Sequence, residues 1–317
     1  MSKPHVLILA WLPDGMLERF RERFPQFDFR DAREPAALDQ NLGTATITYG
    51  VPPVKRLAEA AALCWIQLIS AGVPQDLCPP ARERSILVTN LAGLYGISIA
   101  EHALMMMLVL SRNLHVALRN QRERKWDRTV AHTMADLHGK TLAIVGLGNI
   151  GQSIARLARA HGMRVIGCRR TDRSAPIVDR IYALDRLNEM LAEADIVAVA
   201  APLTARTEGM LGPDQFAAMK RGVIYINVSR GSVAQEAALL EGLRSGHVAA
   251  AGLDVYAAEP LPAEHPFWEM PQVIVSPHYS GEVVNQSSLP AERFMRNLYS
   301  WLDKRPLEGE VDLEWGY

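Results

Sequence analysis

The chain has 317 residues, 49% of them hydrophobic and 22% charged, with a formal net charge of -1. That is length enough for two domains at roughly 150 residues each, and the composition excludes disordered and collagen-like classes. The charge offers no global field toward nucleic acid or an anionic membrane, and no apolar run approaches the roughly 18 residues of a spanning helix.

Three cysteines, Cys64, Cys78 and Cys168, form no CxxC pair, which points to a reducing compartment and hence the cytoplasm. Residues 5–10 predict an apolar strand and not a signal peptide, because no small-residue cleavage site follows. An amphipathic helix is predicted over 16–24, and short strands over 45–49, 65–70 and 86–89. From Ser98 one unbroken helix is expected to about Gln121, with neither proline nor glycine inside it. Its Met105, Met106 and Met107 read as core packing.

The stretch 112–128 is basic but interleaved with Glu123 and Asp127, so it reads as a solvated face or dimer-contacting loop and not a nucleic-acid patch. Trp126 there either reaches a neighbouring subunit or is buried in its own.

Residues 141–146 are the most strand-like run. After them helices over 150–160, 184–194, 213–219 and 234–245 alternate with strands over 164–168, 195–200, 223–228 and 249–255. A strand over 273–276 and a helix over 289–301 close the chain. Continuous apolar strands between helices predict parallel sheets covered on both faces. The expected organisation is two α/β lobes, 1–97 plus 284–317 and 98–283, with a ligand cleft between them.

Residues Gly146, Leu147, Gly148, Asn149, Ile150 and Gly151 form GxGxxG directly after a predicted strand and at the opening of a helix. In that context Gly146 permits the tight turn, Gly148 lets the backbone approach a pyrophosphate, and Gly151 lets helix and strand pack closely. The helix N-terminus offers unpaired N–H groups to the phosphates. An acid about 20 residues on would suit a free ribose 2′-hydroxyl; here Cys168 is followed by Arg169, Arg170 and Thr171. Arginine attracts a 2′-phosphate, so NADP(H) is the expected preference with NAD(H) possible. The alternative is two solvated arginines beside an NAD site.

Ligands of open parallel sheets sit beyond the carboxyl ends of the strands. Three successive strands deliver Arg230, Glu259 and His278 there. This trio suits carbonyl reduction: Arg230 binds a carboxylate and polarises the keto oxygen, His278 donates the proton, and a carboxylate at Glu259 favours the charged imidazole. No HExxH-type spacing occurs among the histidines, so no catalytic metal is expected.

These residues, together with Pro202-Leu203-Thr204 and Thr207, Asn227–Gly231, Gly252–Tyr256, Glu259-Pro260 and Ser276–His278, resemble the D-isomer-specific 2-hydroxyacid dehydrogenases. The likeness covers nearly the whole chain, and Ala100-Glu101-His102 also fits it. The stretch Glu259–Pro262 and the ending look most like the glyoxylate/hydroxypyruvate reductases. The resemblance implies two doubly wound parallel-sheet (Rossmann-like) lobes, 98–283 binding the dinucleotide and the discontinuous 1–97 plus 284–317 binding substrate. It implies Pro202, Thr207, Val228 and Asp254 as cofactor contacts, with Asp254 near the nicotinamide carboxamide. It also implies Ala71 and Gly72 as backbone donors to a small 2-keto acid, reduction to the D-2-hydroxy acid, and a homodimer. Pro74 and Tyr279-Ser280 depart from common family residues near the substrate. A nucleotide-sensing, corepressor-like binding protein on the same fold is the rival expectation.

Overall fold

The computed structural model describes residues 3–170, 175–282 and 287–317. It divides into two units, Met1–Leu94 with Val283–Tyr317, and Tyr95–Glu282. The first unit opens with β1 (His5–Ile8), α1 (Met16–Arg23), β2 (Asp28–Asp31), α2 (Pro35–Asn41), β3 (Ile47–Tyr49), β4 (Trp65–Gln67), α3 (Cys78–Glu83) and β5 (Leu87–Thr89). The second unit begins with α4 (Gly96–Ser111), α5 (Leu114–Arg122), β6 (Thr141–Val145), α6 (Asn149–Ala160), β7 (Arg164–Cys168), β8 (Arg180–Tyr182) and α7 (Leu187–Glu193). It continues with β9 (Ile196–Val199), α8 (Pro213–Ala218), β10 (Val223–Asn227), α9 (Glu236–Arg244), β11 (Val248–Leu253) and β12 (Val273–Val275). The chain then returns to the first unit as α10 (Leu289–Leu302).

In the first unit five parallel strands run in the order β2-β1-β3-β4-β5. Side chains alternate across a strand, so β1 sends Val6 and Ile8 to one face and Leu7 to the other. The Val6 face is aromatic. Phe294 of α10 lies 5.7 Å from Phe20 and 5.3 Å from Trp65, centroid to centroid, which fastens the returning helix to the sheet.

In the second unit seven parallel strands run in the order β12-β11-β10-β9-β6-β7-β8. The chain winds outward from β6 to β8, crosses back to β9 and winds the other way, which makes the β6/β9 boundary the point where strand order reverses. Ala143, Val145, Val197 and Val199 pack on one face, and Leu142, Ile144, Ile196 and Ala198 on the other. On the second face α4 buries Ala100, Ala103, Met106 and Met107. Met106 packs so tightly on Gly252 that a Cβ there would lie 2.9 Å from its side chain.

Three local expectations need correction. The single helix from Ser98 is two helices, because Asn113 adopts φ 51° between α4 and α5. Asparagine tolerates this left-handed conformation, and its Nδ2 donates to Val130 O at 3.1 Å and Thr133 Oγ1 at 2.8 Å. Met105 is exposed, while its two neighbours are buried. Strands β2 and β8 escape a hydrophobic reading because both are edges, and β2 reads Asp-Phe-Arg-Asp with only Phe29 buried. Among the described residues no helix is long and apolar enough to cross a membrane.

Candidate active site

The glycine loop joins β6 to α6 at the strand-order reversal. Register pairs Val145 with Cys168 of β7 and with Val199 of β9. Gly146 has φ +102°, and a Cβ on it would stand 2.6 Å from Ala201 of the neighbouring loop. A Cβ on Gly151 would collide with the Gly146 carbonyl oxygen. At Gly148 a Cβ would meet nothing within 4 Å, so that face of the loop is open. Two glycines therefore close the turn, and the third leaves backbone accessible where α6 presents its unpaired N–H groups. Leu147 turns inward instead and packs on Gly167 of β7.

Gly146 N–H donates to Cys168 O at 3.2 Å, so the residues after β7 emerge beside the loop. Arg169 and Arg170 stand there, with Arg169 half-buried. Thr171 lies outside the described residues. Burial pushes the Cys168 thiol up to about 11, which keeps it protonated under the loop.

Beyond β9 the segment from Pro202 to Thr207 is knitted by one hydroxyl. Thr207 Oγ1 donates to Pro202 O at 2.6 Å and accepts from Thr204 N–H at 2.8 Å. Val228, directly after β10, is buried.

The trio leaves three adjacent strands that are in register at their ends, Asn227 beside Leu253 and Leu253 beside Val275. Asn227 Oδ1 accepts from Ser229 N–H and Oγ–H at 3.0 Å each, and its Nδ2 donates to Arg230 O at 3.1 Å. That Asx-type turn aims the half-buried Arg230 off the strand. Its Nη1 donates to Ser229 O at 2.6 Å. A Cβ on Gly231 would overlap the Tyr256 carbonyl carbon, so the Arg230 turn lies directly on the loop that carries Glu259.

Glu259 Oε1 accepts from Tyr256 N–H at 2.9 Å, and Oε2 lies 2.6 Å from His278 Nδ1. Both side chains of this pair are partly exposed. The structure thus joins Glu259 to His278 directly and brings Arg230 to the same sheet edge.

Asp254 is wholly buried. Its Oδ1 accepts from Ser276 Oγ–H at 2.6 Å and Tyr279 N–H at 3.2 Å, and its Oδ2 from Ser280 N–H at 3.0 Å. Ala71 and Gly72 follow β4 in the first unit, at the carboxyl edge of that sheet.

Residues 104–280 match the family described as D-isomer specific 2-hydroxyacid dehydrogenase, NAD binding domain. The chain belongs to this family. A glyoxylate reductase of Korarchaeum cryptofilum is 31% identical over 312 residues, covering 94% of this chain and 93% of that protein. The D-3-phosphoglycerate dehydrogenase of Bacillus subtilis is 42% identical over 217 residues, covering 65% of this chain but only 39% of that longer protein. Among solved structures, the NADPH-dependent glyoxylate/hydroxypyruvate reductase of Sinorhizobium meliloti, in complex with NADP and sulfate, has a TM-score of 0.86 at 26% identity. The match covers 99% of this chain and 100% of that one.

As a member of this dehydrogenase family, the chain is an NAD(P)-dependent oxidoreductase of small 2-keto and 2-hydroxy acids. Its residues fit a dinucleotide: an open glycine face, a helix start behind it and a strand end carrying arginines beside it. Among the described residues no cluster of three or more His, Cys, Asp or Glu gathers as a metal site.

Sequence reasoning quoted the residues that hold the site together as part of the family pattern but assigned them no role. Asn227 and Ser229 were recognisable as turn formers between a strand and Arg230. Tyr256 and Ser276 carry no such local signal, because their partners lie far along the chain. His102 entered the sequence reading only within Ala100-Glu101-His102, as a fit to the family with no role assigned.

Proposed function

We propose that this chain is an NADPH-preferring reductase that converts a small 2-keto acid, of the glyoxylate or hydroxypyruvate type, to the D-2-hydroxy acid. The observation that carries the reading is the His278–Glu259 hydrogen bond at the strand edge where Arg230 also emerges. With its pyrophosphate held at the glycine loop, a reduced dinucleotide would supply the hydride for the keto carbon.

Arg230 takes the remaining charge work: its guanidinium pairs with the substrate carboxylate and polarises the keto oxygen. An ionised Glu259 can only accept, so His278 Nδ1 keeps its proton and Nε2 is the atom that gives one to the developing alkoxide. In the reverse direction the same Nε2 takes the hydroxyl proton. The backbone N–H groups of Ala71 and Gly72 take the other end of the carboxylate in this reading.

Arg169 and Arg170 are assigned the 2′-phosphate of NADPH, with NADH as the poorer coenzyme. The register of β6 and β7, which brings the segment after Cys168 beside the glycine loop, supports that assignment, as does the NADP in the Sinorhizobium meliloti structure. Pro202, Thr207 and Val228 complete the proposed cofactor surround, while Asp254, wholly buried, acts on it only through the turn it holds.

A homodimer is also proposed. Trp126 is 93% exposed, and beside it lies a hollow of about 560 Å³ lined by Ala117, Val130, Ala131 and Met134 among others. An indole left in water next to an apolar hollow favours burial against a second copy. Reducing, cytoplasmic surroundings suit the three free cysteines.

The test is NADPH consumption with a panel of 2-keto acids of increasing bulk, followed by the configuration of the product. Turnover of the smallest acids to D-products supports the reading. Nucleotide binding without turnover on any acid favours a nucleotide-sensing binding protein.

A further inference from the structure

His278 sits at φ +51°, in the left-handed region that residues other than glycine seldom adopt. Such a conformation is strained for a residue with a Cβ and persists only where the surroundings over-determine it. The turn around it is held on both sides. Before it, Ser276 O lies 2.9 Å from the Tyr256 hydroxyl, which shares its hydrogen with Leu253 O at 2.8 Å. After it, the N–H groups of Tyr279 and Ser280 donate to the two oxygens of buried Asp254.

The buried hydrogen bonds have one consistent direction. A carboxylate only accepts, so the Ser276 hydroxyl donates to Asp254 Oδ1 at 2.6 Å. The Ser276 oxygen is then an acceptor, and His102 Nε2, 3.0 Å away, donates to it. The same His102 ring stands edge-on to Tyr279, 5.4 Å between centroids at 89°. One helical side chain therefore touches the turn both before and after His278, and its N–H holds the Ser276 hydroxyl in the orientation that donates to buried Asp254.

We propose that His102 is a positioning residue for His278. Through Ser276 and Asp254 it fixes the turn in the conformation that keeps His278 Nδ1 on Glu259. It touches neither substrate nor cofactor in this role, and the proposal rests on the reductase reading only where turnover is the readout.

The test compares His102→Leu, Ser276→Ala and His102→Gln with the parent, in the full-length protein. Glutamine can present an N–H near the place of Nε2. Leucine fills the space without a donor. Leucine and alanine variants are expected to lose about tenfold or more in kcat, since misplacement near 1 Å costs up to about 10²-fold, with KM for NADPH within about twofold. His102→Gln should recover most of that loss. Values of kcat within about twofold of the parent in both disabling variants would overturn the proposal, as would equal loss in the leucine and glutamine variants.

A second readout needs no substrate. The side-chain ¹⁵N resonances of His278, assigned by their disappearance in His278→Gln, should move in His102→Leu and Ser276→Ala and stay in His102→Gln. Unmoved resonances in the first two overturn the positioning role even if kcat falls. Moved resonances in a protein inactive on every keto acid keep the positioning role and reject the reductase reading. Should His102→Leu fail to fold, the smaller change at Ser276 carries the same comparison.

Discussion

His278 Nδ1 and Glu259 Oε2 meet at 2.6 Å although 19 residues separate them in sequence. The carboxylate fixes which nitrogen of the imidazole keeps its proton, so the other is left for chemistry. Glu259→Gln removes the charge and keeps the shape. Its kcat for keto-acid reduction should fall about 10-fold to 100-fold, because the imidazole loses the anionic acceptor that fixes its tautomer and orientation. Steady-state rates at saturating substrate and coenzyme check this. A kcat within about twofold of the parent's would remove Glu259 from the proton-transfer step.

Arg169 follows β7 at the point where Cys168 O accepts from Gly146 N–H. Replacing it by aspartate removes a charge-assisted contact worth about 1.5–3 kcal/mol and adds repulsion of the 2′-phosphate. The ratio of kcat/KM for NADPH to that for NADH should drop by roughly 10-fold to 150-fold. A ratio that does not move would assign the 2′-phosphate to other residues.

Gly148 and Gly151 belong to one motif but face different surroundings. Alanine at Gly151 would drive its Cβ into the Gly146 carbonyl oxygen, which should cost about 1–3 kcal/mol of stability and deform the loop. Alanine at Gly148 enters open space, so stability should change by less than about 0.5 kcal/mol while affinity for NADPH falls. Thermal melts and a fluorescence titration separate the two effects. Equal destabilisation by both substitutions would contradict these assignments.

Burial lowers the pKa of His102 below its ordinary 6.5, against the opposing pull of Asp254. The unfolded chain therefore takes up a proton near pH 6.5 that the folded chain refuses. This contribution to stability is complete above pH 6.5 and is lost as the pH falls through the lowered value, by at most about 1.4 kcal/mol per pH unit. His102→Gln has no such proton to refuse, so the parent should lose more stability than the variant between pH 7.5 and 5.5. Urea unfolding at those two values measures the difference, and an unchanged gap would show that His102 takes up its proton equally in both states.

Much of this architecture was legible in the residues. The continuous apolar strands after Thr141 and the GxGxxG loop define the second unit from sequence, because each signal is local and strong. Arg230, Glu259 and His278 were legible as strand-end residues of one parallel sheet. The edge strands β2 and β8 were not, since an edge needs few apolar side chains, nor was the break at Asn113, since asparagine inside a helical pattern gives no sharp stop. The network of Tyr256, Asp254, Ser276 and His102 was illegible for another reason: its links span up to 174 residues, and only the register of β11 on β12 with α4 across them creates it.

The central claim is that His278 passes the proton in reduction of a small 2-keto acid beside a bound dinucleotide. The most direct measurement is NADPH oxidation at saturating glyoxylate and coenzyme, comparing the parent with His278→Ala. The account predicts a fall in kcat of about 10²-fold to 10⁴-fold with the dissociation constant for NADPH within about twofold. Turnover in the alanine variant close to that of the parent would contradict it.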